Sequence, residues 1–181
     1  MRKETVEFIL NWENKLSEIE TDNLNDVYNK FITLFTIYNR YYNELYFNLK
    51  NQNQLVKSRY SDFEKATSIV VDFLGAENII NRINENNNFK EIEAICNLLE
   101  NKVFYINLDN GEPKEAFDLE LLHNLRSQNI EIKVKAISSV IYNVRCNIIH
   151  GYKDFQEYQR LIVEPLIIIT IDILSLFKEK I

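Results

Sequence analysis

Residues 130–151 read IEIKVKAISSVIYNVRCNIIHG. Ile130, Val134, Ile137, Ile141, Val144 and Ile148 recur at steps of three and four, the spacing of one helical face and not the alternation of a strand. The stripe predicts a helix with one buried side. Gly151 ends it, because glycine takes the left-handed closing conformation without a Cβ penalty.

The segments on either side repeat this pattern. Downstream, residues 161–177 are the most apolar of the chain, but Glu164, Pro165 and Asp172 interrupt them. Those residues are costly in hydrocarbon, so the stretch predicts a buried core helix within a final helix from about Asp154 to Lys180, and no membrane span. Upstream, Asp118 is placed to cap a short helix reaching about Ser127. Residues 103–117, with Asp109-Asn110-Gly111 and Pro113, predict a small hairpin or an irregular excursion. Helices near Ala76–Asn84 and Phe89–Lys102 flank Asn86-Asn87-Asn88, a loop whose asparagines read as compositional bias. Ser61 and Glu64 form an S-x-x-E capping box for a helix that stops at Gly75. Residues 51–59 are polar and aperiodic. Thr21, Asp22 and Asn23 offer cap oxygens to a long aromatic helix through Leu49, and Phe8, Trp12, Leu16 and Ile19 mark a first helix from Thr5 to Glu20. With no internal repeat and no low-complexity linker, the expectation is one domain over 1–181. Its fold class is all-α, an up-and-down helical bundle with a small excursion around 103–117.

Composition agrees with long helices and short connections. Hydrophobic residues make up 46% of 181, aromatics 12%, with three glycines and two prolines. The two cysteines, Cys96 and Cys146, form no C-x-x-C pair and have no histidine cluster beside them, which predicts neither a disulfide framework nor a zinc site. The start, Met1-Arg2-Lys3-Glu4, has no apolar signal core. A cytoplasmic protein without metal or cofactor is expected. A net charge of −6 argues against a surface coated for broad nucleic-acid binding. Between Glu131 and Arg160, however, five basic residues face three acidic ones, so this stretch carries +2 and the remainder −8. Any RNA contact is expected to be local.

Within the quoted stretch, Arg145 lies beside the apolar stripe with Ser138, Tyr142 and Ile149 on an ideal helix, whereas His150 lies about 140° away. The two converge if His150 occupies the fraying last turn, where the carbonyl end of the helix dipole also favours an imidazolium. An arginine and a histidine on one phosphate suit RNA cleavage without metal: the imidazole moves a proton and the guanidinium forks onto the oxyanions. The plainer alternative pairs Arg145 with a nearby acid and leaves His150 as a helix-end cap. Cys146, four residues before His150, reads as a nucleophile beside a base or as a small packing residue. His123 has no supporting constellation and is assigned no role.

The run Val144-Arg145-Cys146-Asn147-Ile148-Ile149-His150-Gly151-Tyr152-Lys153 resembles the signature of HEPN domains, an Arg, a spacer of four to six residues and a His, here followed by Gly-x-Lys. Residues 31–45, aromatic with Asn39 at the centre, look like the corresponding helix of the Apea-like branch of that family. The resemblance spans most of the chain apart from 51–117. It implies a helical bundle that dimerises, with the Arg and His of both subunits lining one cleft, and in many members metal-independent cleavage of RNA to a cyclic phosphate. By position, it implies that Arg145 stabilises the phosphorane, that His150 is general base or acid, and that Asn147 orients either one or contacts RNA. Lys153 would hold a neighbouring phosphate. Asn39 is a supporting residue, either a buried polar group bonded to the Arg145 segment or solvent-facing. Cys146 departs from the commonest form, in which a polar residue, often Asn, follows the Arg. Tyr152, in the order His-Gly-Tyr, resembles the tyrosine of smaller HEPN toxins that a nucleotidyltransferase antitoxin modifies; its alternative is a ring packed over the helix end.

The expectation is therefore a metal-independent endoribonuclease of toxin or defence-effector type, a homodimer whose partners are RNA and an antitoxin protein. The competing readings are a non-catalytic domain that binds a nucleotide, RNA or protein through the same cleft, and a purely structural bundle.

Overall fold

The structure, a computed structural model, describes residues 1–151 and 156–180. The first helix, α1 (Lys3–Ser17), is shorter at its C-terminal end than the periodicity through Ile19 predicts. The amides of Glu18 and Ile19 bond back three residues, to Lys15 and Leu16, and this tight turn closes the helix. Asn23 then accepts from the Asp26 amide at 3.1 Å and opens α2 (Leu24–Asn51). Glu44 of α2, almost wholly buried, ties the two helices together. It accepts from the Arg2 amide (2.8 Å), the Arg2 guanidinium (2.6 and 2.8 Å) and the Thr5 hydroxyl (2.8 Å).

After an irregular stretch, Ser61 and Glu64 make the expected reciprocal capping box. The helical run that follows is α3 (Asp62–Glu64), a π-helical turn (Lys65–Ile69) and α4 (Val70–Leu74). Gly75 stops it at φ +86°, a left-handed backbone that disfavours any residue with a Cβ. The π turn has no counterpart in the apolar spacing. It packs between the neighbouring helices, and the Tyr38 hydroxyl donates to the Ala66 carbonyl within it.

Next come α5 (Ala76–Glu85) and α6 (Phe89–Glu100), then a minimal hairpin, β1 (Leu108–Asp109) against β2 (Glu112–Pro113). Asn110 (φ 49°) and Gly111 (φ 87°) are its two turn residues, both left-handed, a combination whose twist matches that of the strands. Asp118 does not cap the following helix, α7 (Glu115–Leu125), because that helix already begins three residues earlier. Asp118 is buried instead and accepts from the Ile106 and Asn107 amides (3.2 and 2.9 Å), which pins the chain leading into the hairpin. Asn129 caps α8 (Ile130–Ile149). A 3-10 turn (Glu157–Gln159) precedes α9 (Arg160–Lys180); the expected helix start at Asp154 lies outside the described residues.

The architecture is an all-α helical bundle. α9 packs along α2 and receives α5 and α6 on other flanks, while α8 lies against α5, α7 and the π turn. Tyr41 stacks on Phe177 (4.8 Å between centroids), and Tyr38 meets Phe177 edge-on at 6.2 Å. The predicted stripe of α8 is buried at Val134, Ile137, Ile141 and Val144. Burial of each such side chain contributes about 1.5–3 kcal/mol before entropy is counted. Among the described residues no helix is long and apolar enough to cross a membrane. Asp172, the acid within α9, is buried and accepts from Asn86 (2.6 Å) and Asn88 (2.9 Å). Those loop asparagines therefore satisfy a core carboxylate.

Candidate functional site

Tyr142, Arg145 and Ile149 follow one another at helical spacing along the flank of α8, next to its buried stripe, and face α2. The Arg145 guanidinium lies over the Phe35 ring, 4.9 Å from Cζ to the centroid. Its Nη1 is 3.8 Å from the Cys146 sulfur. A cleft of about 190 Å³ opens there, lined by Ile32, Phe35, Thr36, Asn39, Arg145 and Ile149. Arg2, Arg82, Arg126 and Arg160 each sit within 2.6–2.8 Å of a carboxylate. Arg145 has no such partner among the described residues, so the reading in which it simply pairs with an acid finds no acid there. A guanidinium fixed on a ring and lacking a counter-ion is a ready receptor for an oxyanion.

Asn39 shares this cleft. It is neither bonded to the Arg145 segment nor simply solvated: its Nδ2 donates to the Tyr42 hydroxyl, and its Oδ1 accepts from Asn43 at 3.1 Å. The Tyr42 hydroxyl in turn donates to Asp62 Oδ2 at 2.9 Å. Burial and the Asp62 carboxylate push the Tyr42 hydroxyl far above the ordinary tyrosine range, so it stays protonated and serves as a fixed donor. Beside them the Tyr142 ring stands between Phe35 (6.2 Å) and Phe63 (5.4 Å, 81°). Burial, then Cys146 and Asp62, push its hydroxyl up to about 12, against the opposing charge of Arg145.

His150 is the residue that closes α8 (φ −84°, ψ 1°). Its amide bonds to the Cys146 carbonyl at 2.9 Å, and Gly151, at φ +69°, ends the helix as expected. The imidazole is exposed and is not among the residues that line the Arg145 cleft. Within one chain, therefore, Arg145 and Asn39 share a cleft that His150 does not line. Asn147 departs from its expected role more plainly. It is 6% exposed and donates from Nδ2 to the Ile106 carbonyl at 2.8 Å, because two positions along a helix carry it about 200° away from Arg145. It anchors the chain that leads into the hairpin. Asn147→Ala is expected to cost about 1–2 kcal/mol by leaving the buried Ile106 carbonyl unpaired, measured as a lower urea midpoint, with the Arg145 cleft unaffected. Tyr152 and Lys153 lie outside the described residues.

Phe35, Asp62 and Phe63 belong to the surroundings of Arg145 without having been singled out from the sequence. Tyr142 carried a usable signal, standing three residues before Arg145 on the same helical face. Asp62 and Phe63 had none, since nothing local links the start of α3 to the end of α8. Among the described residues no group of three or more His, Cys, Asp or Glu side chains is arranged to hold a metal ion. Comparison with known proteins gives no match: no family profile, no curated sequence and no solved structure matches this chain.

Proposed function

We propose that this chain is a metal-independent endoribonuclease of toxin or defence-effector type, a HEPN-like domain that acts in the cytoplasm as a homodimer with a composite Arg/His site. The observation that carries the reading is the Arg145 guanidinium, held on Phe35 at the wall of a cleft with no carboxylate among the described residues to neutralise it. A half-buried guanidinium that rests on a ring with no carboxylate beside it is available to an anion. A phosphodiester supplies one.

In the proposed reaction the 2′-hydroxyl of RNA loses its proton to an imidazole, and O2′ attacks the adjacent phosphorus. Negative charge then builds on the equatorial oxygens, where the planar guanidinium donates two hydrogen bonds. The P–O5′ bond breaks and O5′ takes a proton, leaving a 2′,3′-cyclic phosphate and a 5′-hydroxyl. The exposed His150, five residues from Arg145 at the helix end, is the proposed proton carrier. Ile149 between them is 52% exposed and offers the apolar contact that a two-fold interface would bury, bringing the histidine of a second copy to the cleft. Tyr152 is the proposed target of an antitoxin of nucleotidyltransferase type. The product termini test this reading: fragments ending in cyclic phosphate, formed with all divalent metal chelated, support it, whereas 5′-phosphate ends or dependence on added metal oppose it.

A second reading is favoured by the position of His150 outside the cleft and by the net charge of −6. In it the same cleft binds RNA, a nucleotide or a protein without turnover.

A further inference from the structure

Phe63 is the second residue of α3, and although an aromatic residue is ordinarily buried in a core, this one is 38% exposed. It is held in place. Its carbonyl accepts from the Thr67 hydroxyl at 2.8 Å, and its ring meets Tyr142 edge to face. Tyr142 in turn contacts Phe35, the ring beneath the Arg145 guanidinium. A row of three aromatics thus runs from the exposed surface to the cation of the cleft.

Asp62 stands next to Phe63 at the start of the same helix. One carboxylate oxygen, Oδ2, is occupied by the Tyr42 hydroxyl; the other, Oδ1, has no hydrogen-bond partner among the described residues, and Asp62 pairs with no cation there. A carboxylate beside a phosphate site repels the backbone of a nucleic acid, so its use in such a site lies in reading a base. An ionised carboxylate only accepts hydrogen bonds, and what it accepts from on a base is an amino group.

We infer that Asp62, Phe63 and Tyr142 form a nucleobase subsite beside the Arg145 cleft, which stacks a base on Phe63 and selects one carrying an exocyclic amino group. Cytosine fits and uracil does not, because uracil presents a carbonyl oxygen where cytosine presents the amine, and two acceptors repel. Asp62 is then a specificity-determining residue, and the Tyr42 hydroxyl, itself held by Asn39, fixes the carboxylate's orientation. The inference rests on the reading that the cleft takes RNA.

Binding of fluorescently labelled 2′-O-methyl hexacytidylate and hexauridylate, followed by anisotropy in chelator, tests it separately from cleavage, since neither oligonucleotide has a free 2′-hydroxyl. The full chain is expected to bind the cytidine oligomer about tenfold more tightly than the uridine one. Asp62→Asn, which keeps an acceptor for Tyr42, is expected to bring that ratio close to one. Phe63→Ala, at an exposed position, weakens both by about tenfold. Equal affinities for the two oligomers, a ratio unchanged in Asp62→Asn, or no binding of either would overturn the subsite. Selective binding without cleavage of natural RNA would remove the ribonuclease reading and leave the subsite standing. Cleavage indifferent to both substitutions would do the reverse.

Discussion

Arg145→Ala is expected to lower the rate of RNA cleavage by about a thousandfold while moving the melting temperature little. The magnitude is that of removing a donor aimed at charge that develops only in the transition state. The small effect on stability follows from what the side chain touches: it rests on Phe35 and makes no ion pair among the described residues, so its loss forfeits a cation–π contact of about 0.5–1 kcal/mol and some packing. Arg145→Lys keeps the charge but loses the planar fork, and is expected to recover only a small part of the rate. Single-turnover cleavage at saturating protein isolates the chemical step, and rates within tenfold of the parent for Arg145→Ala would show that the guanidinium is not at the reacting phosphate.

The second large effect lies far from the cleft. Arg2→Ala removes the guanidinium that neutralises Glu44 while leaving the carboxylate buried with only the Thr5 hydroxyl and the residue 2 amide as donors. Only the Glu44 end of this pair is buried, and the solvent-screened Arg2 guanidinium weakens the penalty, so the loss is expected to lower the melting temperature by a few degrees in a chain of this size. The effect is pH-dependent with a definite sign. Burial alone would raise the Glu44 carboxyl, but the Arg2 side-chain and backbone bonds and the Thr5 hydroxyl outweigh it and hold the group down at about 2, from an ordinary 4.5. A depressed carboxyl contributes its stability in full above 4.5 and loses it as pH falls toward 2. The gap between parent and Arg2→Ala is therefore expected to be widest near neutrality and to narrow between about pH 4.5 and 2, as followed by thermal melts across that range. A gap independent of pH would mean that Arg2 acts by packing alone.

Much of the fold was legible because it is written in local patterns. The stripe of α8, the Ser61–Glu64 box, the stop at Gly75 and the turn at Asn110-Gly111 each need only a few neighbouring residues to be recognised. What escaped depends on partners far along the chain. Asn86 and Asn88 looked like compositional bias and in fact satisfy Asp172, more than eighty residues away. Asp118 has the sequence of a helix cap, yet its carboxylate serves amides outside its own helix. The π turn at Lys65–Ile69 packs against α2 and α8, elements outside its own helical run, and no local pattern announced it.

The site divides in the same way. Arg145 and its flank of Tyr142 and Ile149 could be placed from helical geometry, and Asn39 from the character of its helix. That the two meet across one cleft depends on how α2 and α8 pack, which no local pattern records. Asn147 was given a part in the chemistry by the resemblance to HEPN domains, whereas its angular position on the helix sends it toward Ile106. Adjacency along a helix is a poor guide to a shared face.

The most direct test of the central claim compares the parent protein with Arg145→Ala/His150→Ala, purified identically, on total cellular RNA in excess chelator. The account predicts that the parent cuts the RNA, leaving cyclic phosphate ends, and that the double variant, folded to the same helical content, does not. Equal cleavage by both proteins, or none by the parent, would contradict it.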